Sequence, residues 1–282
     1  MIIARALFIM CSALAIWCGV ALLLDRIFPF PVQRLDPAPG QRILDRNGQA
    51  LRFFLAPDEQ WRFPVSLDEV SPDLIAALVH SEDRLFYHHP GVNPVAIARA
   101  AWTNLRRGRI VSGGSTIPMQ LARLAEPRPR TLGSKVVEAL RAMQLCAHFS
   151  RDQILTWYLN LAPFGGNVVG VGAASWYYFG KTPATLSLGE TALLTVLPRS
   201  PARYNPGVNP QAARAVRNQV LAHFQAHDLF PAQHIRESLE QPLLVRPARI
   251  PFAAPHFTQW VHSNTPYTAM VRTTLDKSMQ KT

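Results

Sequence analysis

The hydrophobic pattern divides the chain into one long apolar run and a series of amphipathic segments. Residues 6–24 carry no charge over 19 successive positions, about the length that an α-helix needs to cross the hydrocarbon layer of a membrane. From Ser71 onward, apolar residues recur at spacings of three and four, the period of a helix that buries one face. The pattern predicts a membrane helix followed by a mainly α-helical body.

The apolar run has two interpretations. A cleavable signal peptide usually has a shorter apolar region followed by a small-x-small cleavage site, which residues 25–28 do not offer. We therefore favour an uncleaved signal anchor over residues 1–28. Arg5 flanks the run on one side and Arg26 and Arg34 on the other, so the positive-inside rule does not decide the orientation.

Turn and capping residues predict where the elements begin and end. Residues 43–54 predict a β-hairpin, because Asn47-Gly48 supplies the two positive-φ positions of a type I′ turn. Ser71-Pro72 and Asn93-Pro94 each place an N-cap residue before a proline and so predict helix starts, the second helix ending at Gly108. Further helices are predicted at about 115–125, 131–148, 151–160, 185–197 and 209–226. Residues 241–255 are predicted as a connector, and residues 268–276 as a single strand without a partner in this chain.

The charge is strong and unevenly distributed. At 282 residues and 48% hydrophobic content the chain can bury a core, and its net charge is +11. Between Arg99 and Arg151 ten basic residues face only Glu126 and Glu138, and such a field attracts phosphates. Since no nucleic-acid-binding module and no interleaved aromatics accompany it, we expect no nucleic-acid partner but an anionic lipid surface or a phosphorylated lipid. The alternative is that these residues only solvate one face of the protein.

One carboxylate falls on an apolar face. Leu74, Leu78 and Glu82 lie at i, i+4 and i+8, and Leu85 and Phe86 complete the stripe. An acid in such a position is costly unless it is paired or neutral. Two interpretations remain open at this stage, a general base in a catalytic site and a structural glutamate bonded to a neighbouring arginine.

Other candidate motifs carry little weight. His80, His88 and His89 do not have the spacing of a metal-binding motif, so we expect structural histidines and no metal ligands among them. Gly170-x-Gly172 lacks the third glycine and the preceding strand of a nucleotide-binding loop, which favours close helix packing instead.

Five short patterns then occur in one order along the chain. They are Glu82-Asp83-x-x-Phe86-x-x-His89-x-Gly91, Gly114-Ser115-Thr116-Ile117-x-x-Gln120, Lys135-x-x-Glu138, Ile154-Leu155-x-x-Tyr158-Leu159-Asn160, and Tyr178-Phe179-Gly180-Lys181 continuing to Tyr204-Asn205-Pro206. Together they resemble the motifs of the peptidoglycan glycosyltransferases (glycosyltransferase family 51), the polymerase module of class A penicillin-binding proteins. The stretches 163–166 and 174–176 look most like the 1C branch of that family.

The resemblance implies a fold and a location. It implies a lysozyme-like α-helical glycosyltransferase domain over residues 66–230, preceded by the anchor (1–28) and by a spacer with a small β-hairpin (29–65). Residues 231–282 are then expected to be a linker toward an absent transpeptidase domain, since Ser278-x-x-Lys281 is not followed by the other transpeptidase motifs. It also implies a single-pass protein of the bacterial cytoplasmic membrane, with the domain on the extracytoplasmic face.

The resemblance further implies a reaction and its residues. A growing glycan chain hangs from a polyprenyl pyrophosphate, and the 4-hydroxyl of an incoming lipid II attacks its anomeric carbon. Glu82 would be the general base, and Glu138 would assist at the leaving group, with or without a divalent cation such as Mg²⁺ or Mn²⁺. The remaining residues implied to bind substrate are Asp83, His89, Gly114, Ser115, Thr116, Gln120, Arg123, Arg130 and Lys135.

Two other functions stay open on the sequence. One is a lysozyme-like hydrolase of finished glycan, which would need a second carboxylic acid to protonate a poor leaving group. The other is a non-catalytic membrane scaffold that binds lipid II or cell-division proteins. The family resemblance favours the glycosyltransferase.

Overall fold

The computed structural model describes Gly19, Leu23 and residues 25–109, 113–243, 250–266 and 268–281. These residues form a mainly helical body, as the hydrophobic pattern predicts. The helices are α1 (Pro72–Glu82), α2 (Pro94–Arg107), α3 (Ile117–Ala125), α4 (Leu132–His148), α5 (Arg151–Leu161), α6 (Val171–Phe179), α7 (Leu188–Val196), α8 (Pro201–Tyr204), α9 (Pro210–Gln225), α10 (Ala232–Glu240) and α11 (Pro255–Asn264).

The helix boundaries follow the capping residues. The Asn93 side chain accepts a hydrogen bond from the Ala96 N–H at the start of α2, and Gly108 ends that helix in the left-handed conformation. Ser187 and Glu190 form a capping box, which begins α7 at Leu188 rather than at the predicted residue 185. The seven predicted helices are present, and every boundary that was predicted agrees to within about three residues; no end was predicted for α1.

Three further helices of at least nine residues were not predicted from the sequence. Helix α6 is apolar on every side and almost wholly buried, so it shows no amphipathic period. Helix α10 lies in the predicted linker, yet Ile235 is fully buried in one cluster with Leu221 and Phe224 of α9. Helix α11 begins at Pro255, where a connector was predicted to end. The linker boundary at residue 230 stays a prediction, but α10 packs as part of the body.

The predicted hairpin is present with a different turn. Strands β1 (Gln41–Leu44) and β2 (Ala50–Phe54) pair antiparallel, but Asn47 does not have positive φ, and within the turn Gly48 alone does (φ 81°). The type I′ prediction is therefore wrong. The turn is wider because the Asp45 carboxylate accepts hydrogen bonds from the N–H groups of Asn47 and Gln49, each at 2.8 Å.

The strand near the end of the chain has a partner after all. Met270–Arg272 pairs parallel with β1, opposite residues 42–44, and so completes a three-stranded sheet with the hairpin. The prediction that this strand has no partner in the chain is wrong, because a sequence pattern shows a strand but not its neighbour. A second small sheet is made by β3 (Trp61–Arg62), β4 (Pro163–Gly165) and β5 (Val168–Val169).

An aromatic cluster joins these strands to the helical body. The Trp176 ring of α6 lies 4.9 Å from the Phe53 ring, 5.5 Å from Phe63 and 5.6 Å from Trp61, measured between centroids. Edge-on aromatic contacts of this kind stabilise a core beyond the area they bury. The cluster fixes the segment 53–63 against α6.

The predicted anchor, residues 1–28, lies almost wholly outside the described residues. Within the described part of the chain, none of the helices has both the length and the apolar character that a bilayer crossing requires. The last residues of the predicted anchor are held against α4. The Asp25 carboxylate lies 2.7 Å from His148 Nε2 and 2.9 Å from Gln144 Nε2, and Arg141 Nη1 donates to the Phe28 carbonyl at 2.6 Å.

The glycines at the start of α6 allow backbones to approach closely, as the sequence predicted. A Cβ atom on Gly172 would lie 2.2 Å from the Phe63 carbonyl oxygen, which belongs to backbone and cannot rotate away. Gly170 has φ 84°, and a Cβ there would lie 2.8 Å from the Asn160 carbonyl oxygen. The backbone at Phe63 therefore packs directly on the backbone of α6.

We predict that Gly172→Ala lowers the free energy of unfolding by about 2 kcal/mol, because the added methyl group overpacks a rigid contact. The midpoint of urea unfolding measures this. Gly133→Ala is the matched control, since the nearest atom to a Cβ there lies 3.8 Å away and alanine is favoured over glycine in the first turn of α4. Equal midpoints for the two variants would contradict the close contact.

Candidate active site

A cleft of about 550 Å³ opens between the end of α1, the start of α2 and the loop that leads into α3. Its wall includes Glu82, Arg99, Ser115 and Arg199. These residues come from four separate segments, so the cleft exists only in the folded chain. The acid that the hydrophobic pattern selected therefore lies at a concave, charged surface.

Glu82 is the last residue of α1, and its side chain is only 6% exposed. Its carboxylate accepts a hydrogen bond from Arg199 Nε at 2.7 Å and from Gln120 Nε2 at 2.8 Å. A negative charge at a helix C-terminus is unfavourable, and the arginine offsets it. The apolar stripe does not continue as predicted: because the helix ends at Glu82, Leu85 is 44% exposed while Phe86 is fully buried.

Arg199 is the residue that the sequence analysis missed. In addition to the bond from Nε to Glu82, Arg199 Nη2 donates a hydrogen bond to the Ser81 carbonyl at 2.6 Å. The guanidinium is therefore bonded to the last turn of α1 at two points. Both interpretations of Glu82 thus meet in one geometry, an acid beside an arginine in a cleft. The signal in the sequence is an acid on an apolar face that requires a cation, but no spacing rule selects the arginine.

Gln120 is held by a second bond. Its Oε1 accepts from the Tyr158 hydroxyl at 3.3 Å, which directs the amide nitrogen toward Glu82. Burial, followed by the charge of Glu82, raises the pKa of Tyr158 well above its ordinary value of 10, so the hydroxyl stays protonated and acts as a donor. A chain of hydrogen bonds therefore runs from the Tyr158 hydroxyl through the Gln120 amide to the Glu82 carboxylate.

Asp83, His89 and Thr116 bond to other parts of the protein with their polar side-chain atoms, although Asp83 and Thr116 also border the cleft. The buried Asp83 carboxylate lies 2.8 Å from His89 Nε2 and accepts from the Ile117 N–H at 3.1 Å. His89 Nδ1 accepts from the Gly91 N–H, which places the proton of the ring on Nε2 as a donor to Asp83. Thr116 Oγ1 donates to the Gly91 carbonyl at 2.5 Å and caps α3. These three residues fix the loops around Glu82.

A second charged group lies beside the cleft. Lys135 Nζ donates to Ser115 Oγ at 3.1 Å and to Glu138 Oε2 at 2.5 Å. Glu138 is buried, on the face of α4 that also carries the buried residues Ala142 and Leu145. Arg141, the other cation near it in sequence, instead pairs with Glu126 at 2.9 Å. Ser115 and Lys135 therefore present a hydroxyl and an ammonium group at the edge of the cleft.

The remaining predicted residues are less closely placed. Arg123 stands one helical turn after Gln120 on α3 and acts electrostatically on Tyr158, so it lies on the side of Glu82. Arg130 is exposed in the loop between α3 and α4. A Cβ on Gly114 would lie 2.8 Å from Ile97 Cα, so this glycine lets the loop pack against α2. The structure thus gathers Glu82, Gln120, Ser115 and Lys135 and leaves Arg130 at the periphery.

Comparison with known proteins gives a consistent result. The transglycosylase family matches residues 47–225. Penicillin-binding protein 1C of Escherichia coli is 43% identical over 257 residues, 91% of this chain and 33% of that protein. Penicillin-binding protein 1A of Aquifex aeolicus is 39% identical over 239 residues, 83% of this chain and 32% of that protein. The chain spans about a third of the length of these curated relatives.

The match contains the whole cleft. Residues 47–225 include Glu82, Ser115, Lys135, Glu138 and Arg199. The resemblance to class A penicillin-binding proteins of the 1C type, which the sequence motifs indicated, is confirmed by the relative from E. coli. Because the family covers more than half of the chain, the protein belongs to the transglycosylase family.

Proposed function

We propose that this protein is a peptidoglycan glycosyltransferase that polymerises lipid II into glycan strands by inverting transfer. The observation that carries the proposal is the placement of Glu82: a nearly buried carboxylate that faces a cleft and is oriented by two donors. Family membership supports the reaction class.

Glu82 would act as the general base. The 4-hydroxyl of the incoming lipid II attacks the anomeric carbon of the lipid-linked chain, and its proton passes to the Glu82 carboxylate. As the new glycosidic bond forms, the bond from the anomeric carbon to the pyrophosphate oxygen breaks. Arg199 and Gln120 hold both oxygens of the carboxylate in place, so little reorganisation accompanies the proton transfer.

The leaving group would meet the cationic side of the cleft. Pyrophosphate needs no proton to depart, but it needs positive charge where negative charge accumulates. Lys135 and Ser115 supply an ammonium and a hydroxyl group there. Arg123, another basic residue that the motifs imply, lies on the side of Glu82 and would add positive charge from there. The ion pair with Glu138 fixes the position of the Lys135 ammonium. Arg130, at the periphery, would meet the more distant phosphate or the membrane surface.

A divalent cation enters the proposal only as a partner of the diphosphate. Glu138 would hold Mg²⁺ or Mn²⁺ together with substrate phosphates, since Mg²⁺ in such sites is bound through one or two carboxylates and phosphate oxygens. The chemistry that it would supply is additional charge for the departing diphosphate. The contact between Lys135 and Glu138 at 2.5 Å already places one cation at this carboxylate.

The arrangement of acids favours transfer over hydrolysis. A hydrolase of the lysozyme type needs a protonated carboxylic acid beside the scissile oxygen. Among the described residues that line the cleft, the acids are Glu82 and Asp83, and both oxygens of Glu82 and the buried carboxylate of Asp83 accept hydrogen bonds within the protein. Neither is placed as a proton donor to a leaving group.

The last residues of the predicted anchor support a membrane location. Asp25 and Phe28 are bonded to α4, the helix that also carries Lys135 and Glu138. A membrane helix over residues 6–24 would therefore place this end of the cleft near the bilayer, where lipid-linked substrates lie. We propose the extracytoplasmic face of the cytoplasmic membrane, with cell-division proteins as further partners.

We predict that Glu82→Gln lowers the rate of polymer formation by 10²-fold or more, because a general base of this kind contributes about 10²–10⁴-fold. The assay follows labelled lipid II with the detergent-solubilised chain. Glu237→Gln, an exposed acid on α10, is the control and should retain the full rate.

The same assay separates the alternatives. Fragments released from finished glycan that lacks pyrophosphate would favour the hydrolase. Saturable lipid II binding without turnover by the folded chain would favour the scaffold. Normal polymer yield from Glu82→Gln would remove Glu82 as the base.

We predict that Arg199→Lys lowers kcat about tenfold or more with little change in KM, because the single nitrogen of lysine does not reproduce the fixed spacing of Nε and Nη2, which bond Glu82 and the Ser81 carbonyl. Arg203→Lys on the neighbouring helix α8 is the matched control; its guanidinium stacks on Tyr204. If the loss followed only the fraction of folded protein, measured by circular dichroism, Arg199 would be structural and not a positioning residue.

A further inference from the structure

Three histidines meet where the end of α1 lies beside the end of α9. They are His80, two residues before Glu82, and His223 and His227, one helical turn apart. A ring nitrogen of each lies within 4.8 Å of a ring nitrogen of the other two. The centroid of the His80 ring lies 5.5 Å from that of His223 and 5.2 Å from that of His227, and the rings of His223 and His227 are 4.3 Å apart. No other group of three or more potential metal ligands is found among the described residues.

The ring nitrogens are suited to act as ligands. His227 Nδ1 lies 2.9 Å from the His223 carbonyl oxygen, so it donates its proton there and leaves the Nε2 lone pair available. This is the carbonyl contact that commonly orients a metal-binding imidazole. His80 Nε2 is buried and has no hydrogen-bond partner. A buried polar atom without a partner is costly, and an ion at this place would satisfy it.

The surroundings of His80 and His223 lower the pKa values of both imidazoles. Burial, followed by Arg84 and the two other histidines, lowers the pKa of His80 to about 4. Burial and the charges of His227, Arg84 and Arg199 lower the pKa of His223 as well.

We propose that His80, His223 and His227 bind a divalent transition-metal ion, with Zn²⁺ as the best-fitting member of this class. Imidazole nitrogen suits Zn²⁺, Cu²⁺ and Ni²⁺, whereas Mg²⁺ and Ca²⁺ prefer oxygen. Three histidines with a solvent molecule in the fourth position form a known type of open zinc site. His223 and His227 are exposed, so solvent reaches that position.

The site has to contract to bind the ion. Tetrahedral zinc with bonds of about 2.0–2.1 Å places its ligand nitrogens roughly 3.3 Å apart. The two exposed rings, of His223 on α9 and of His227 in the turn that follows it, can rotate toward His80 to reach this distance. Arg84 opposes binding, because its Nη2 lies 3.4 Å from His223 Nε2 and the ion has to displace it. Removal of this guanidinium should strengthen the site.

The ion would connect two helices at the proposed active site. His80 and His223 both line the cleft that contains Glu82. A metal bond between α1 and α9 would hold the last turn of α1 in the native state and would therefore raise the stability of the folded chain. The site uses neither Lys135 nor Glu138, so it is independent of the proposed donor site.

The test uses the full detergent-solubilised chain with an affinity tag that lacks histidine. Isothermal titration with Zn²⁺ should give one ion per chain, and Zn²⁺ should raise the melting temperature. Titration with Co²⁺ should give the intense visible absorption of tetrahedral coordination. His223→Ala and His227→Ala should each weaken Zn²⁺ binding at least tenfold, while His234→Ala, an exposed histidine on α10, should leave it unchanged.

Two further results decide the proposal. Arg84→Gln should bind Zn²⁺ more tightly than the parent chain, and an unchanged affinity would contradict the placement of the ion beside Arg84. Absence of saturable Zn²⁺ binding, or equal binding by the parent chain, His223→Ala and His227→Ala, would overturn it. Because these measurements need no lipid substrate, they are separate from the test of the proposed glycosyltransferase activity.

Discussion

A nearly buried carboxylate at the end of a helix is the constraint on which the cleft depends. Transfer of an ion from water into a protein costs several kcal/mol unless partners compensate it. The end of a helix adds an unfavourable dipole for a negative charge. Glu82 is tolerated there because Arg199 and Gln120 each bond one oxygen. The segments that carry these two partners must therefore converge on the last turn of α1, and that convergence shapes the cleft.

A second set of polar contacts keeps this geometry fixed. Asp83, next to Glu82, connects His89 to the first turn of α3, and Thr116 connects the same helix to Gly91. Gly91 itself has φ 109°, and a Cβ there would lie 2.4 Å from the Ala142 carbonyl oxygen. The residues of the first two motifs thus divide into those that face the cleft and those that hold the loops around it. A motif shared with a family contains both kinds, and its spacing does not distinguish them.

The charges of the site are arranged in two groups with different roles. Around Glu82, cationic and amide donors orient a carboxylate that is suited to accept a proton. Around Ser115, the Lys135 ammonium is held by Glu138 on a helix that is also bonded to Asp25 and Phe28. In the proposed reaction, the group around Glu82 would form the acceptor side of the cleft and the group around Ser115 the donor side. The histidine cluster lies next to the acceptor side and uses neither group.

Local physics made much of the protein readable from its sequence. Amphipathic periods and caps gave seven helices, and the apolar stripe of α1 selected Glu82, because neighbours three and four residues apart share a face of a helix. Family motifs selected Gln120, Ser115, Lys135 and Glu138. The sequence did not determine Arg199, the trio of histidines, the parallel partner of β1 or the buried helix α6. Each of these depends on contacts between residues far apart in the chain or on burial from every side, which only the packing of the folded chain decides.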